Sequence, residues 1–193
     1  MALNLHDVLN NSYASRDKQK GAFKNQGYVF DSDLSDINQQ VYYNPRDKKL
    51  LYSVKGTNPL SLKDLGTDAY LAMGKLKDTN RYKEAEKKLQ LAKTRYNPKD
   101  VVVAGHSLGG SISQYIAGKN DKVYTLNKGA TIGQKTRSNE NAFRTKGDAV
   151  SLLNANSTRM QTLKNPNIIT KIRPLDALLA HNVSNIKKNN IFV

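Results

Sequence analysis

The segment VVVAGHSLGG, Val101–Gly110, limits what this chain can fold into more than any other. Val101–Ala104 is uniformly apolar and mostly β-branched, as in strands that are covered on both faces. After the glycines, SISQYIAGK carries Ile112, Tyr115 and Ile116 on one helical stripe. Strand, sharp bend and helix therefore follow one another directly, with Ser107 at the bend. In a Gly-x-Ser-x-Gly pattern the serine occupies a strained turn, and side chains at Gly105 or Gly109 would strike the neighbouring backbone. The helix that follows aims its N-terminal N–H groups and its dipole at the serine, which favours negative charge developing there. The phosphate-binding alternative requires Gly-x-x-x-x-Gly-Lys, and that pattern is absent.

The rest of the chain fits around this unit. QQVYYNPRDKKLLYSVKG reads as a hairpin, with strands at Val41–Tyr43 and Leu50–Val54 about the turn NPRD. NRYKEAEKKLQLAKTRY places Tyr82, Ala85, Leu89, Ala92 and Tyr96 on one helix face, and YNPK ends the helix. At the N-terminus, Leu3, Leu5, Val8 and Leu9 predict a short amphipathic helix. KVYTL reads as a further strand. No repeat or Pro/Gly/Ser-rich linker divides the 193 residues, so one domain over 1–193 is expected. The predicted class is α/β: a mixed sheet with an N-terminal hairpin, helices on both faces, and Ser107 at the carboxyl edge of a central strand.

The chain has no cysteine, which removes disulfides and a thiolate nucleophile from consideration. No apolar run approaches the roughly 18 residues of a membrane span, and the N-terminus lacks the continuous apolar stretch of a secretory signal. A soluble or peripheral protein is expected, with compartment and oligomeric state left open. The formal net charge of +15 attracts polyanions, either an anionic membrane surface or nucleic acid. The basic residues are spread along the chain, with small clusters such as Lys18, Lys20 and Lys24. A lysine-biased solvated surface accounts for that spread, and nucleic acid is not the favoured partner.

A serine hydroxyl needs a base, commonly histidine, and an acid to hold the imidazole in one tautomer. The chain has three histidines. His106 precedes Ser107 and is expected to project away from it, packing beside the bend. His6 belongs to the N-terminal helix. His181 has the late position expected when the order is serine, acid, histidine. Four acids lie between: Asp121 at the wrong end of KVYTL, Glu140 in the polar loop TRSNENA, Asp176 where a helix N-cap explains it, and Asp148. The last follows Gly147 at the end of a strand-like stretch, where α/β sheets present functional side chains. Ser107, His181 and Asp148 form the expected triad.

Together GHSLGG, GDAVS and the late AHNV resemble the class 3 lipases, the fungal-lipase-like branch of the α/β-hydrolases. VKGTNPLSLKDLGTDAYLA is similar to the family's oxyanion segment, and the likeness runs from about Val41 to Ile186. It implies that Thr57 supplies an oxyanion N–H and its hydroxyl, and that Leu108 supplies the second N–H. Lys55 stands where the family often has arginine. The lid that follows the family's Gly-Thr is reduced here to Asn58–Gly66. The implied activity is hydrolysis of a lipid or other carboxylic ester through an acyl-enzyme, of lipase or phospholipase A type, without cofactor or metal. Two rivals remain. One is a basic interaction protein, bound to nucleic acid or an assembly, on an inactive hydrolase fold. The other is an esterase for small soluble esters.

Overall fold

The structure, a computed structural model, describes residues 2–57, 74–129, 135–148, 150, 160–164, 180–186 and 191–193. Asp176 and the lid segment Asn58–Gly66 lie outside the described residues. Seven strands form one sheet in sequence order: β1 (Val29–Phe30), β2 (Gln39–Asn44), β3 (Lys49–Val54), β4 (Asp100–His106), β5 (Lys122–Leu126), β6 (Glu140–Thr145) and β7 (Met160–Leu163). The first three are joined antiparallel, and β3 through β7 run parallel. The sheet is mixed with β4 at its centre, as the sequence predicts.

The expected hairpin is present, and each strand extends beyond the apolar run. Asn44 pairs with Lys49, because Asn44 Oδ1 accepts the Asp47 N–H at 3.1 Å and closes the turn NPRD from its first residue. At the N-terminus the structure differs from expectation. Helix α1 (Leu5–Asn11) is followed by a separate α2 (Arg16–Gly21), since the apolar spacing stops at Leu9 and SYAS breaks the pattern.

Helix α3 (Asn80–Tyr96) starts where Thr79 Oγ1 accepts the Tyr82 N–H. It ends at Asn97, whose φ of 40° and N–H to Lys93 O make a left-handed cap. Helix α4 (Leu108–Ile116) begins immediately after Ser107 and so includes Gly109 and Gly110.

Strand alternation sorts the core into two layers. On one face Leu50, Tyr52, Val54, Val103 and Val123 pack with Leu89 and Ala92 of α3 and Ile112 and Ile116 of α4. On the other, Leu51, Val102, Ala104 and Leu126 pack against Leu5, Val8 and Leu9 of α1. Each fully buried aliphatic side chain contributes about 1.5–3 kcal/mol relative to exposure, so burial on both faces fixes β4 firmly. No helix among the described residues is long and apolar enough to cross a membrane.

Candidate active site

The serine bend has the geometry its sequence requires. Ser107 has φ 57° and ψ −129°, a backbone region that costs about 1–3 kcal/mol for a residue with a side chain. A Cβ on Gly105 would fall against the Gly109 carbonyl and 2.5 Å from Ser113 Oγ. One on Gly109 would fall against Val54 O and 2.6 Å from Lys55 O. The two glycines thus let α4 turn back tightly over the ends of β3 and β4. Ser107 N donates to Leu126 O at 3.0 Å, and Ser107 O accepts from Gly110 N and Ser111 N at 2.9 and 3.2 Å. These bonds hold the bend to β5 and to its own helix.

Leu108 is the first residue of α4, where backbone N–H groups have no intrahelical partner. Thr57, half-buried, follows Gly56 beyond the end of β3. A Cβ on Gly56 would lie 3.0 Å from Ser107 Cβ and 2.7 Å from His106 O. The segment carrying Thr57 therefore passes directly beside the serine. Arg81 of α3 donates from one guanidinium nitrogen to the carbonyls of Lys55 and Gly56, pinning this segment from outside.

The structure brings Asp148 and His181 together. Asp148 Oδ1 is 2.7 Å from His181 Nδ1, with both side chains almost wholly buried. A carboxylate only accepts, so Nδ1 carries the proton and Nε2 is the imidazole's free lone pair. Nε2 is buried and has no hydrogen-bond partner among the described residues. The His181 ring lies 4.7 Å from that of His106, the residue before Ser107.

The other histidines and acids go elsewhere. His6 Nδ1 meets its neighbour Asp7. Asp121 accepts from Lys93 at 2.6 Å and from the Gly118 N–H, at the start of β5 as expected. Glu140 departs from the sequence reading. It opens β6 instead of lying in a polar loop, and its buried carboxylate accepts from Lys128 and Thr125, each at 2.7 Å. The KVYTL and NAFRT strands lie side by side, which carries Glu140 inward beside a buried lysine. Burial lowers the Lys128 pKa, and the adjacent carboxylate opposes that shift.

Neither a protein-family model nor a curated protein matches this chain in sequence. Solved structures do match in shape. A Rhizomucor miehei lipase propeptide complex carrying a two-residue deletion superposes with a TM-score of 0.59 at 14% identity, over 94% of this chain and 77% of that one. The fold is fungal-lipase-like. A triacylglycerol lipase, described as having a serine protease triad for its catalytic centre, gives 0.54 at 14% identity over 77% and 72%. The native Rhizomucor miehei lipase propeptide complex gives 0.51 at 16%, over 77% of this chain and 61% of that chain, less than two thirds of its length.

Within this lipase-like fold, several groups that hold the His181 segment escape a sequence reading. Asn127, after β5, has φ 47°. Its amide donates to Thr145 Oγ1 and to the Ala180 and His181 carbonyls, and its Oδ1 accepts the Thr145 N–H at 2.8 Å. Thr145 Oγ1 donates to Ala180 O, and Asn185 Nδ2 reaches the same carbonyl at 3.2 Å. The available hint was an asparagine directly after a strand, a residue type that tolerates left-handed backbone.

Proposed function

We propose that the protein is a serine carboxylic ester hydrolase of lipase type. The observation that carries this reading is the buried Asp148–His181 pair, 2.7 Å apart, whose imidazole lies 4.7 Å from the ring of His106, the residue that leads into the strained Ser107 turn. In this reading Ser107 Oγ attacks the ester carbonyl as its proton passes to His181 Nε2. The carbonyl oxygen becomes negative and is received by the N–H groups of Leu108 and Thr57 and by the Thr57 hydroxyl. Collapse breaks the bond to the leaving alcohol, which takes the proton from Nε2 and leaves an acyl group on Ser107. Water then attacks while His181 takes its proton; collapse breaks the Ser107 Oγ–acyl bond, Nε2 returns the proton to Oγ, and the acid leaves. Asp148 holds the imidazole in the Nδ1–H tautomer and stabilises the imidazolium formed at each step. The described triad of the similar triacylglycerol lipase supports these roles.

The direct test is mass spectrometry after exposure to a fluorophosphonate. An adduct on Ser107 is expected. An intact, folded and unlabelled Ser107 would overturn the reading in favour of a basic interaction protein on this fold.

The net charge of +15 supports a lipid surface as the place of action. Each Lys or Arg near an anionic bilayer contributes about 1 kcal/mol until salt screens it. Hydrolysis of anionic phospholipid vesicles, at an acyl ester, should exceed that of neutral triglyceride and fall steeply between about 0.05 and 0.5 M salt. Turnover of a soluble short-chain ester should barely change. Equal salt response of both substrates would leave an esterase for small esters.

A further inference from the structure

Tyr13, between α1 and α2, and His106, at the end of β4, join two parts of the site that are remote in sequence. The Gly56 N–H donates to Tyr13 Oη at 3.0 Å. Tyr13 Oη is 2.8 Å from His106 Nδ1, and His106 Nε2 is 2.7 Å from the His181 carbonyl. The directions of these bonds follow from valence. A carbonyl only accepts, so His106 Nε2 carries a proton and donates it. A neutral imidazole has one N–H, so Nδ1 accepts, and its donor is the tyrosine hydroxyl. The tyrosine oxygen is then free to accept from Gly56. Each group has a single assignment, and the chain runs one way from the oxyanion segment to the base segment.

We propose that Tyr13 and His106 are positioning residues which set the oxyanion segment at Gly56–Thr57 and the base at His181 in register across Ser107. The inference rests on the hydrolase reading. Space supports it independently. A Cβ on Gly56 would collide with Tyr13 Oη as well as with His106 O and Ser107 Cβ, so Gly56, Tyr13 and the bend are packed to contact. The two rings meet edge to face, 5.9 Å apart, and His106 is buried.

The protonation states required are the ones burial imposes. Tyr13 is pushed up to about 12 by burial and keeps its proton. His106 is pushed down to about 3, mainly by burial and then by the facing His181, so it remains the neutral acceptor. The ionisable groups acting on His106 are His181 on the base segment and Asp148 beyond β6, with the Tyr13 hydroxyl on its other side. An apolar packing histidine would need neither a fixed tautomer nor partners at both ends. This one transmits a displacement at either loop to the other.

The test combines kinetics on p-nitrophenyl butyrate with a readout that needs no turnover. Histidine ¹⁵N shifts of the wild-type protein should show His106 as the Nε2–H tautomer with Nδ1 unprotonated at neutral pH. Tyr13→Phe should lower kcat about 10-fold with KM within about twofold, the loss of one oriented hydrogen bond. It should also speed hydrogen exchange at the Gly56 amide. His106→Gln keeps a donor near the ε position and should retain more kcat than His106→Asn, which keeps only a group near the δ position. An Nδ1–H tautomer, unchanged Gly56 exchange, or a Tyr13→Phe kcat within about twofold of wild type would overturn the positioning role. A wild-type protein that shows the predicted tautomer without any turnover would overturn the hydrolase reading instead.

Discussion

Ser107 and His181 are held in contrasting ways. The sequence elements that shape the serine bend lie between Val101 and Gly110, a doubly covered strand, two glycines without room for a Cβ, and a helix starting at Leu108, and the backbone carbonyls of β3 and β5 close around them. His181 is held by Asp148 beyond β6, Asn127 beyond β5 and His106 at the end of β4, each through one or two hydrogen bonds. The bend is backbone geometry enforced by packing. His181 is placed by polar side chains whose individual net contribution is about 0.5–1.5 kcal/mol. Damage to the bend should therefore appear in stability and activity together, whereas damage to the base segment should appear in activity first.

The largest effects are expected at the groups proposed to carry the reaction. Ser107→Ala should lower kcat on a soluble ester by about 10⁶-fold and Asp148→Asn by about 10⁴-fold, the latter through the wrong tautomer. Both proteins should keep their circular dichroism, and an Asp148→Asn variant of near-normal rate would remove Asp148 from the triad. Gly105→Ala should cost about 3 kcal/mol or more in denaturant unfolding, because its Cβ meets the Gly109 carbonyl. A loss below about 1 kcal/mol would mean that the bend is less tightly packed than its geometry indicates.

Asn127→Ala sharpens the contrast. Loss of its amide contacts should cost about 1–3 kcal/mol in stability and lower kcat about 10-fold with little change in KM. Equal losses in Asn127→Ala and Gly105→Ala unfolding would erase the distinction between the two sides.

Acid should weaken the base side more gently. His106 falls from 6.5 to about 3 on folding, so between those values the unfolded chain binds a proton that the native chain does not. Its contribution is fully present above about pH 6.5 and is lost as pH falls toward 3, with a slope of up to about 1.4 kcal/mol per pH unit. Melting curves across this range should flatten in His106→Gln, and an unchanged slope there would assign the acid sensitivity elsewhere. Thr57→Val should have the smallest effect. It keeps the backbone N–H, so a fall in kcat of less than about 10-fold is expected, measured beside KM.

The parts of the site legible in advance were those written locally. Ser107 between Gly105 and Gly109 needs no distant partner to be recognised, and Asp148 was distinguished by its place after a strand, where it indeed meets His181. Glu140 was misplaced because its neighbours TRSNENA are polar, and only the pairing of β5 with β6 buries it beside Lys128.

His106 shows the limit most plainly. Residue order places it beside Ser107, projecting away from the hydroxyl and packing next to the bend, and it is buried there. Its partners, Tyr13 and the His181 carbonyl, lie far away in the chain on either side. Periodicity and glycine spacing carry information over a few residues, because they report the repeat of a strand or helix and the room available at a bend. The sheet order, the tautomer of His106 and the anchoring of His181 depend on which strand ends become neighbours. That is set when the two apolar layers close over β4, and hydrogen bonds between remote side chains take their direction only after it.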